Sequence, residues 1–266
     1  MSHIPANIER WSGFSGLYDD YRPAPPTVYM DILTHYTGME RPGLVVDIGC
    51  GTGLSTRIWA ERADQIIGVE PSEDMRGIAE NRTQAINIHY QAGFSSATGL
   101  PDACADIVTI SQALHWMQPE PTFQEVARIL RPGGVFAAVD CDWPPTIHPD
   151  VEMAYNDCMK KSREIEKQFN DAPQVIYFPK EAHLQNIRAS GRFRYVREVV
   201  LHSLEAGDAE RIVGLAVSQG HVATALKHGH SRADLGLEHL REVAQKVMGN
   251  QSIPWYFNYR VRVGIM

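Results

Sequence analysis

The stretch LVVDIGCGTGLST, residues 44–56, decides how this chain is read, because three glycines stand directly behind an apolar run that ends in an acid. Glycine lacks a Cβ, so a backbone carrying Gly49, Gly51 and Gly53 can turn sharply and let a ligand approach where any side chain would collide. The stretch predicts a strand, a tight bend and a ligand.

Working outward, the chain from about residue 42 to 140 repeats one pattern of a short β-branched apolar run, a turn and a helical stretch. The runs are GLVVDIG, QIIGVEP, INIHYQAG, ADIVTISQA and GGVFAAVD. Runs apolar at nearly every position suit parallel strands covered on both faces, and LSTRIWAERA, SEDMRGIAENR and EPTFQEVARIL suit the covering helices. The expected fold is a doubly wound α/β sheet whose ligand lies outside the carboxyl ends of the strands. Beyond it, RFRYVREVVLHSL and PWYFNYRVRVGI read as further strands, the last antiparallel. VEMAYNDCMKKSREIEKQF, GDAERIVGLAVSQGHVATALKHG and ADLGLEHLREVAQKVM read as helices that the sheet itself does not require. Residues 1–266 are read as one domain with a nucleotide-binding core at 42–143 and a final strand at 254–266. Segment 1–38 and helical insertions at about 146–190 and 206–250 are expected to form a lid.

The totals narrow the partners. A net charge of −7 disfavours a protein built to grip phosphate backbones, so no nucleic acid is expected. No run has the roughly 18 apolar residues that a membrane span needs, and the N-terminus lacks the order of a signal peptide, which predicts a cytoplasmic protein, monomer or homodimer. Cys50, Cys104, Cys141 and Cys158 are widely spaced, so neither disulfides nor a zinc site is expected. His221, His228, His230 and His239 cluster late in the chain without the carboxylates or cysteines of a metal site, so no metal is expected.

Glu70, closing the second run in IIGVEPS, stands about 20 residues past the glycines, where an acid can accept hydrogen bonds from both hydroxyls of a ribose. The ligand should contain a nucleoside. A nicotinamide dinucleotide asks for GxGxxG, whereas GCGTG is one residue shorter and follows Asp47, an acid that would repel a pyrophosphate. S-adenosylmethionine has a cationic amino acid headgroup, a sulfonium and no phosphate, and it suits that acid.

On VVDIGCGTG (45–53), GVEPSEDM (68–75), ADIVTISQALHW (105–116) and ILRPGGVF (129–136), the chain resembles the class I S-adenosylmethionine-dependent methyltransferases, in the type 11 group. FSGLYDDYRPAPP followed by ALHWM is similar to the trans-aconitate methyltransferase branch, which esterifies small acids, although Ala24-Pro25 stands where members often read Tyr-Pro. The resemblance implies a Rossmann-like seven-stranded sheet with helices on both faces, an antiparallel last strand and a helical lid. It also implies S-adenosylmethionine as cofactor, with S-adenosylhomocysteine as product.

Carried over residue by residue, the resemblance implies that Gly49, Cys50, Gly51 and Gly53 line the methionine moiety and that Asp47 lies beneath its amino group, directly or through water. Glu70 and Pro71 would hold the ribose, and Met75, Gly93, Phe94 and Ser95 would frame the adenine. Serines stand where an acid usually accepts the adenine amino group. Gln112 and Ala113 would meet the methionyl group. Tyr18 and Arg22 would close over it, Arg22 as a guanidinium fork on its carboxylate.

Transfer of a methyl from a sulfonium is an in-line displacement, so the protein mainly aligns the acceptor. His115 and Trp116 are expected near the transferring methyl, His115 as base, anion partner or scaffold. Tyr21, His115, Trp116, Trp143, Ser218, His221 and Tyr256 are the candidate acceptor contacts, and Arg260 and Arg262 are expected to face solvent or a partner subunit. DCDWPP sits after the fifth strand and lacks the aromatic of the base-methylating Asp-Pro-Pro-Tyr signature, so it reads as a loop. The expected activity is O-methylation of a small carboxylate or hydroxyl. Methylation of nitrogen, carbon or sulfur, or a non-catalytic partner subunit, is the alternative.

Overall fold

The apolar runs form the parallel half of one sheet in this computed structural model, which describes residues 19–169 and 176–266. Strands β1 (Leu44–Ile48), β2 (Gln65–Val69), β3 (Ile88–Gln91), β4 (Ala105–Ser111) and β5 (Leu130–Cys141) run parallel, while β7 (Ile253–Ile265) inserts antiparallel between β5 and β6 (Tyr195–Gly207). The order is β3-β2-β1-β4-β5-β7-β6, seven strands among the described residues. The reversal of winding between β1 and β4 opens the crevice in which the fold places its ligand.

Successive side chains of a strand point to opposite faces, and the two cores follow from this. In β5, Val135, Ala137, Val139 and Cys141 join one buried cluster, while Phe136 and Ala138 join the other. The first cluster takes in α1 (Val28–Thr37) through Tyr29, Met30 and Leu33, together with Trp59, whose indole N–H donates to Tyr29 Oη at 3.0 Å. The stretch 54–63 is shorter as a helix than its periodicity predicts. Only α2 (Leu54–Arg57) is α-helical, and i→i−3 bonds from Trp59, Ala60 and Arg62 tighten the next turns as the indole enters the core.

Four of the remaining helices start where the sequence provides a cap or a proline for the free N–H groups. Ser72 caps α3 (Glu73–Arg82) by accepting from Met75 N, and Pro119 opens α4 (Pro119–Ile129). Helix α5 (Pro149–Glu166) opens on Pro149, and Asp208 caps α7 (Ala209–Val217). Helices α5, α7, α8 (Gly220–Lys227) and α9 (Leu237–Met248) pack on one another and share the first cluster with the sheet. Helix α6 (His183–Ala189) does not join them. Its Ile187 packs with Phe123, Phe136 and Phe193 on the opposite face. The stretch 146–190 is thus divided between the two faces. No described helix is long and apolar enough to cross a membrane.

The last strand departs from expectation at one residue. Arg262 is only 3% exposed, on the sheet face that also carries Asp140 of β5 and Glu198 of β6. Its guanidinium meets Asp140 at 2.5 Å and Glu198 at 2.8 Å. Arg260 stays partly exposed and pairs with Asp142 at 3.1 Å. Strand alternation reports a polar side, and here that side is an internal ion-pair row rather than a solvated face.

Candidate active site

The bend behind β1 folds back on the end of β2. Gly49 and Cys50 N–H groups donate to Val69 O at 2.7 and 3.3 Å, and Gly49 holds φ +69. A Cβ on Gly49 would stand 2.9 Å from Ala113 Cβ and 2.5 Å from Met117 Cε, so position 49 admits no side chain. Gly53 closes the loop at φ +82 and points at Tyr90, whose Oη would lie 2.4 Å from an added Cβ. Gly53 does not line the cleft; its role is packing. Gly53→Ala is expected to lower stability by about 1–3 kcal/mol through backbone strain and this collision. Urea unfolding measures it, and an unchanged midpoint would show that the loop relaxes freely.

Glu70 sits across the bend with each oxygen already engaged. Gly51 N donates to Oε2 at 3.0 Å and Ser72 N to Oε1 at 2.9 Å. Burial raises its pKa, and those N–H bonds and Arg76 oppose the rise. An ionised carboxylate offers about four acceptor sites, so two remain for a diol. The Gly51 N–H, which a pyrophosphate would need, is given to this carboxylate. The residues present fit a phosphate-free nucleoside.

Asp47 does not reach the cleft. It is fully buried, with Ser55 and Thr56 hydroxyls donating at 2.7 Å and Thr109 at 2.8 Å. Burial is the largest influence and raises its pKa, with the three hydroxyls opposing. It ties β1 to α2 and β4, and it approaches the cleft only through Ser55, which lines it.

The cleft encloses about 1240 Å³, part of it open to solvent. Arg22, Gly49, Cys50, Gly51, Glu70, Pro71, Met75, Gly93, Phe94, Ser95, Gln112, Ala113, Trp116 and Trp143 line it. Ser95 Oγ is bonded to Thr122 Oγ1 at 2.8 Å rather than standing free for a base. Arg22 lies 4.7 Å over the Trp143 ring and donates to Ser218 Oγ at 2.9 Å and Ser218 O at 3.0 Å.

Five expected acceptor contacts are also placed outside the lining. Tyr21 lies flat against Gly214 on α7, where an added Cβ would meet its ring at 2.2 Å. Ser218 serves Arg22 and stands behind it. His221 is buried within α8, and Tyr256 is 49% exposed, exchanging backbone bonds with Thr146. His115 is buried behind the wall, its ring 4.7 Å from Trp116 and 5.4 Å from Tyr177, and Phe178 N donates to its carbonyl at 2.9 Å. Tyr18 lies outside the described residues.

Behind that wall is a charged cluster. Asp140, 2% exposed, meets Arg262 at 2.5 Å, His183 Nδ1 at 3.0 Å, Lys180 Nζ at 3.3 Å and His115 Nδ1 at 3.7 Å. Burial alone would raise its pKa, but the imidazoles of His115 and His183 and the Lys180 charge hold it well below the ordinary value. His115 is pushed the other way: desolvation lowers it to about 4, with Asp140 opposing. At neutral pH the imidazole is uncharged.

Sequence reasoning missed Thr52, Leu54, Ser55, Ser111, Met117, Gln118, Cys141, Pro23 and Pro25 as lining residues. Met117 and Gln118 directly follow His115 and Trp116, so the loop after β4 carried the signal. Cys141 and Tyr259 meet only because β5 pairs with β7, which no local pattern reports.

Residues 46–138 match the methyltransferase domain family. A probable S-adenosylmethionine-dependent methyltransferase of Saccharomyces cerevisiae is 33% identical over 51% of this chain and 46% of its own. A malonyl-[acyl-carrier protein] O-methyltransferase of Enterobacter lignolyticus is 25% identical over 89% of this chain and 86% of its own. The match spans about half the length of several curated relatives, the yeast protein among them. Among solved structures, a methyltransferase-like protein from Anaeromyxobacter dehalogenans shares the fold with a TM-score of 0.67 at 21% identity, covering 92% of this chain and 98% of that one.

Proposed function

We propose that this chain, whose residues 46–138 match the methyltransferase domain family, is a class I S-adenosylmethionine-dependent methyltransferase that methylates an oxygen of a small organic acceptor, a carboxylate in preference to a hydroxyl. One observation carries the choice of oxygen. The histidine beside the wall is buried and held near pKa 4, far too acidic to take a proton from a hydroxyl near neutrality. A carboxylate is already ionised and needs no base. Relatives named as malonyl-[acyl-carrier protein] O-methyltransferases add support.

In this reading the cofactor supplies a methyl carried on a sulfonium. Glu70 accepts the ribose hydroxyls with its two remaining sites, and Met75, Gly93 and Phe94 flank the adenine. The bend at Gly49–Gly51, with Gln112 and Ala113 opposite, holds the methionyl end. Trp116, Trp143 and Tyr259 shape the acceptor side and exclude water. Alignment of this kind is worth about 7–11 kcal/mol in favourable systems. His115 supports Trp116 from behind and takes no proton.

The test joins calorimetry with S-adenosylhomocysteine, expected to bind at micromolar Kd or tighter, to methyl transfer assayed over acids, phenols and amines. Acids should be consumed; exclusive turnover of amines would overturn the reading. His115→Gln should keep kcat within about fivefold at every pH, whereas loss of a general base costs about 10²–10⁴-fold. The same variant has a stability signature. Between pH 6.5 and about 4 the unfolded chain binds a proton at His115 that the folded chain refuses. Native stability therefore falls as pH drops through that window, and His115→Gln should flatten the fall in thermal midpoint.

A further inference from the structure

Lys180 stands at the joint between the outer wall of the cleft and the charged cluster behind it. Its Nζ lies 3.0 Å from Gln112 Oε1, 3.4 Å from Cys141 O and 3.3 Å from Asp140 Oδ1. Gln112 and Cys141 both line the cleft, and the lysine side chain is 20% exposed where Asp140 is 2%. We propose that Lys180 determines the acceptor's identity: its ammonium, braced by Gln112, receives a carboxylate oxygen of the acceptor.

Three features support this. Lysine has three donors and no acceptor, and its 3.4 Å contact to the Cys141 carbonyl is the longest of the three. Exchanging that neutral oxygen for an anionic one gives a shorter, charge-assisted bond. Asp140 does not cancel the ammonium one for one, because Arg262 holds it more closely at 2.5 Å. The cleft is also polarised. Its charged lining residues, among those described, are Glu70 at the β2 end and Arg22 beside Trp143. Lys180, standing behind Gln112 and Cys141, adds a second cation at the β5 end.

Gln112 shows that this placement is held at a cost. It is a non-glycine residue at φ +53, a conformation L residues rarely adopt. A donor-only partner also forces its amide to turn the oxygen toward Lys180, which leaves Nε2 buried without a hydrogen bond among the described residues. Strain and an unmatched donor on one residue of a cleft wall are features that functional sites retain. Both accompany the bracing of the ammonium.

The proposal rests on the carboxylate reading above, and its test separates the two. Aliphatic and aromatic acids, each matched with its primary amide and its alcohol, are assayed with wild type, Lys180→Met, Lys180→Arg and Lys180→Gln, alongside calorimetry with S-adenosylhomocysteine. Wild type should prefer acids over alcohols at least tenfold in kcat/KM. Lys180→Met should raise KM for acids about tenfold or more, with kcat within threefold and S-adenosylhomocysteine Kd within twofold. Lys180→Arg should retain most of the preference. Lys180→Gln, which keeps a neutral polar head beside Gln112 and Asp140, should shift KM the same way and serves if Lys180→Met does not fold. An unchanged acid KM, or a cofactor-product Kd that rises in step with it, overturns the proposal. Equal turnover of alcohols by wild type overturns it along with the preference for acids and leaves methyl transfer standing. Tight S-adenosylhomocysteine binding with no acid or alcohol consumed overturns both readings.

Discussion

Glu70→Ala should raise the Kd for S-adenosylhomocysteine by about 10- to 150-fold. A hydrogen bond to a charged group contributes about 1.5–3 kcal/mol net, and every 1.4 kcal/mol is tenfold. The substitution also releases Gly51 N and Ser72 N from their acceptor, so the bend loses its brace at the same time. Glu70→Gln separates the two effects. Its amide oxygen can still accept from one of the two N–H groups but offers fewer sites to a diol, so most of the affinity loss should remain with less loss of stability. Calorimetry paired with thermal unfolding reads both. If Glu70→Ala binds as tightly as wild type, the ribose is held elsewhere.

The largest stability change should come from Asp140→Ala. Removing one partner of a buried pair strands the other charge, at a cost of about 3–5 kcal/mol. Arg262 would keep Glu198 at 2.8 Å but lose its 2.5 Å contact, and His183 and Lys180 would lose theirs. By contrast, Arg41→Ala breaks a pair exposed at 47% and 63% and should change stability by less than about 1 kcal/mol. Because the folded pKa of Asp140 is depressed, its contribution is present above the unfolded carboxylate value and is lost as pH falls through the folded one. The difference between wild type and Asp140→Ala should therefore shrink in acid. A denaturation difference under about 1 kcal/mol at pH 7 would mean that the cluster admits water.

The parallel strands were legible because each is apolar on both faces, and the bend because Gly49, Gly51 and Gly53 leave few alternatives. Glu70 was legible through its distance from them. Lys180 was not: it sits 68 positions from Gln112 and 39 from Cys141, and nothing in QVIYFPKEAH marks it. Arg262 was misread because alternation distinguishes the two sides of a strand without saying what lies against each. His115 was placed in the right loop and on the wrong side of it, since the turn Leu114–Trp116 brings Trp116 to the cleft and buries its neighbour. Local pattern fixes which residues leave a strand end together; the packing of segment 176–182 over the loop decides which of them meets a ligand.

The contact of Arg22 with Ser218 spans 196 positions of the chain. The cleft wall beside Trp143 therefore ties together two segments that lie far apart along the chain. A substitution at Arg22 or at Ser218 should be felt in the dwell time of whatever rests within.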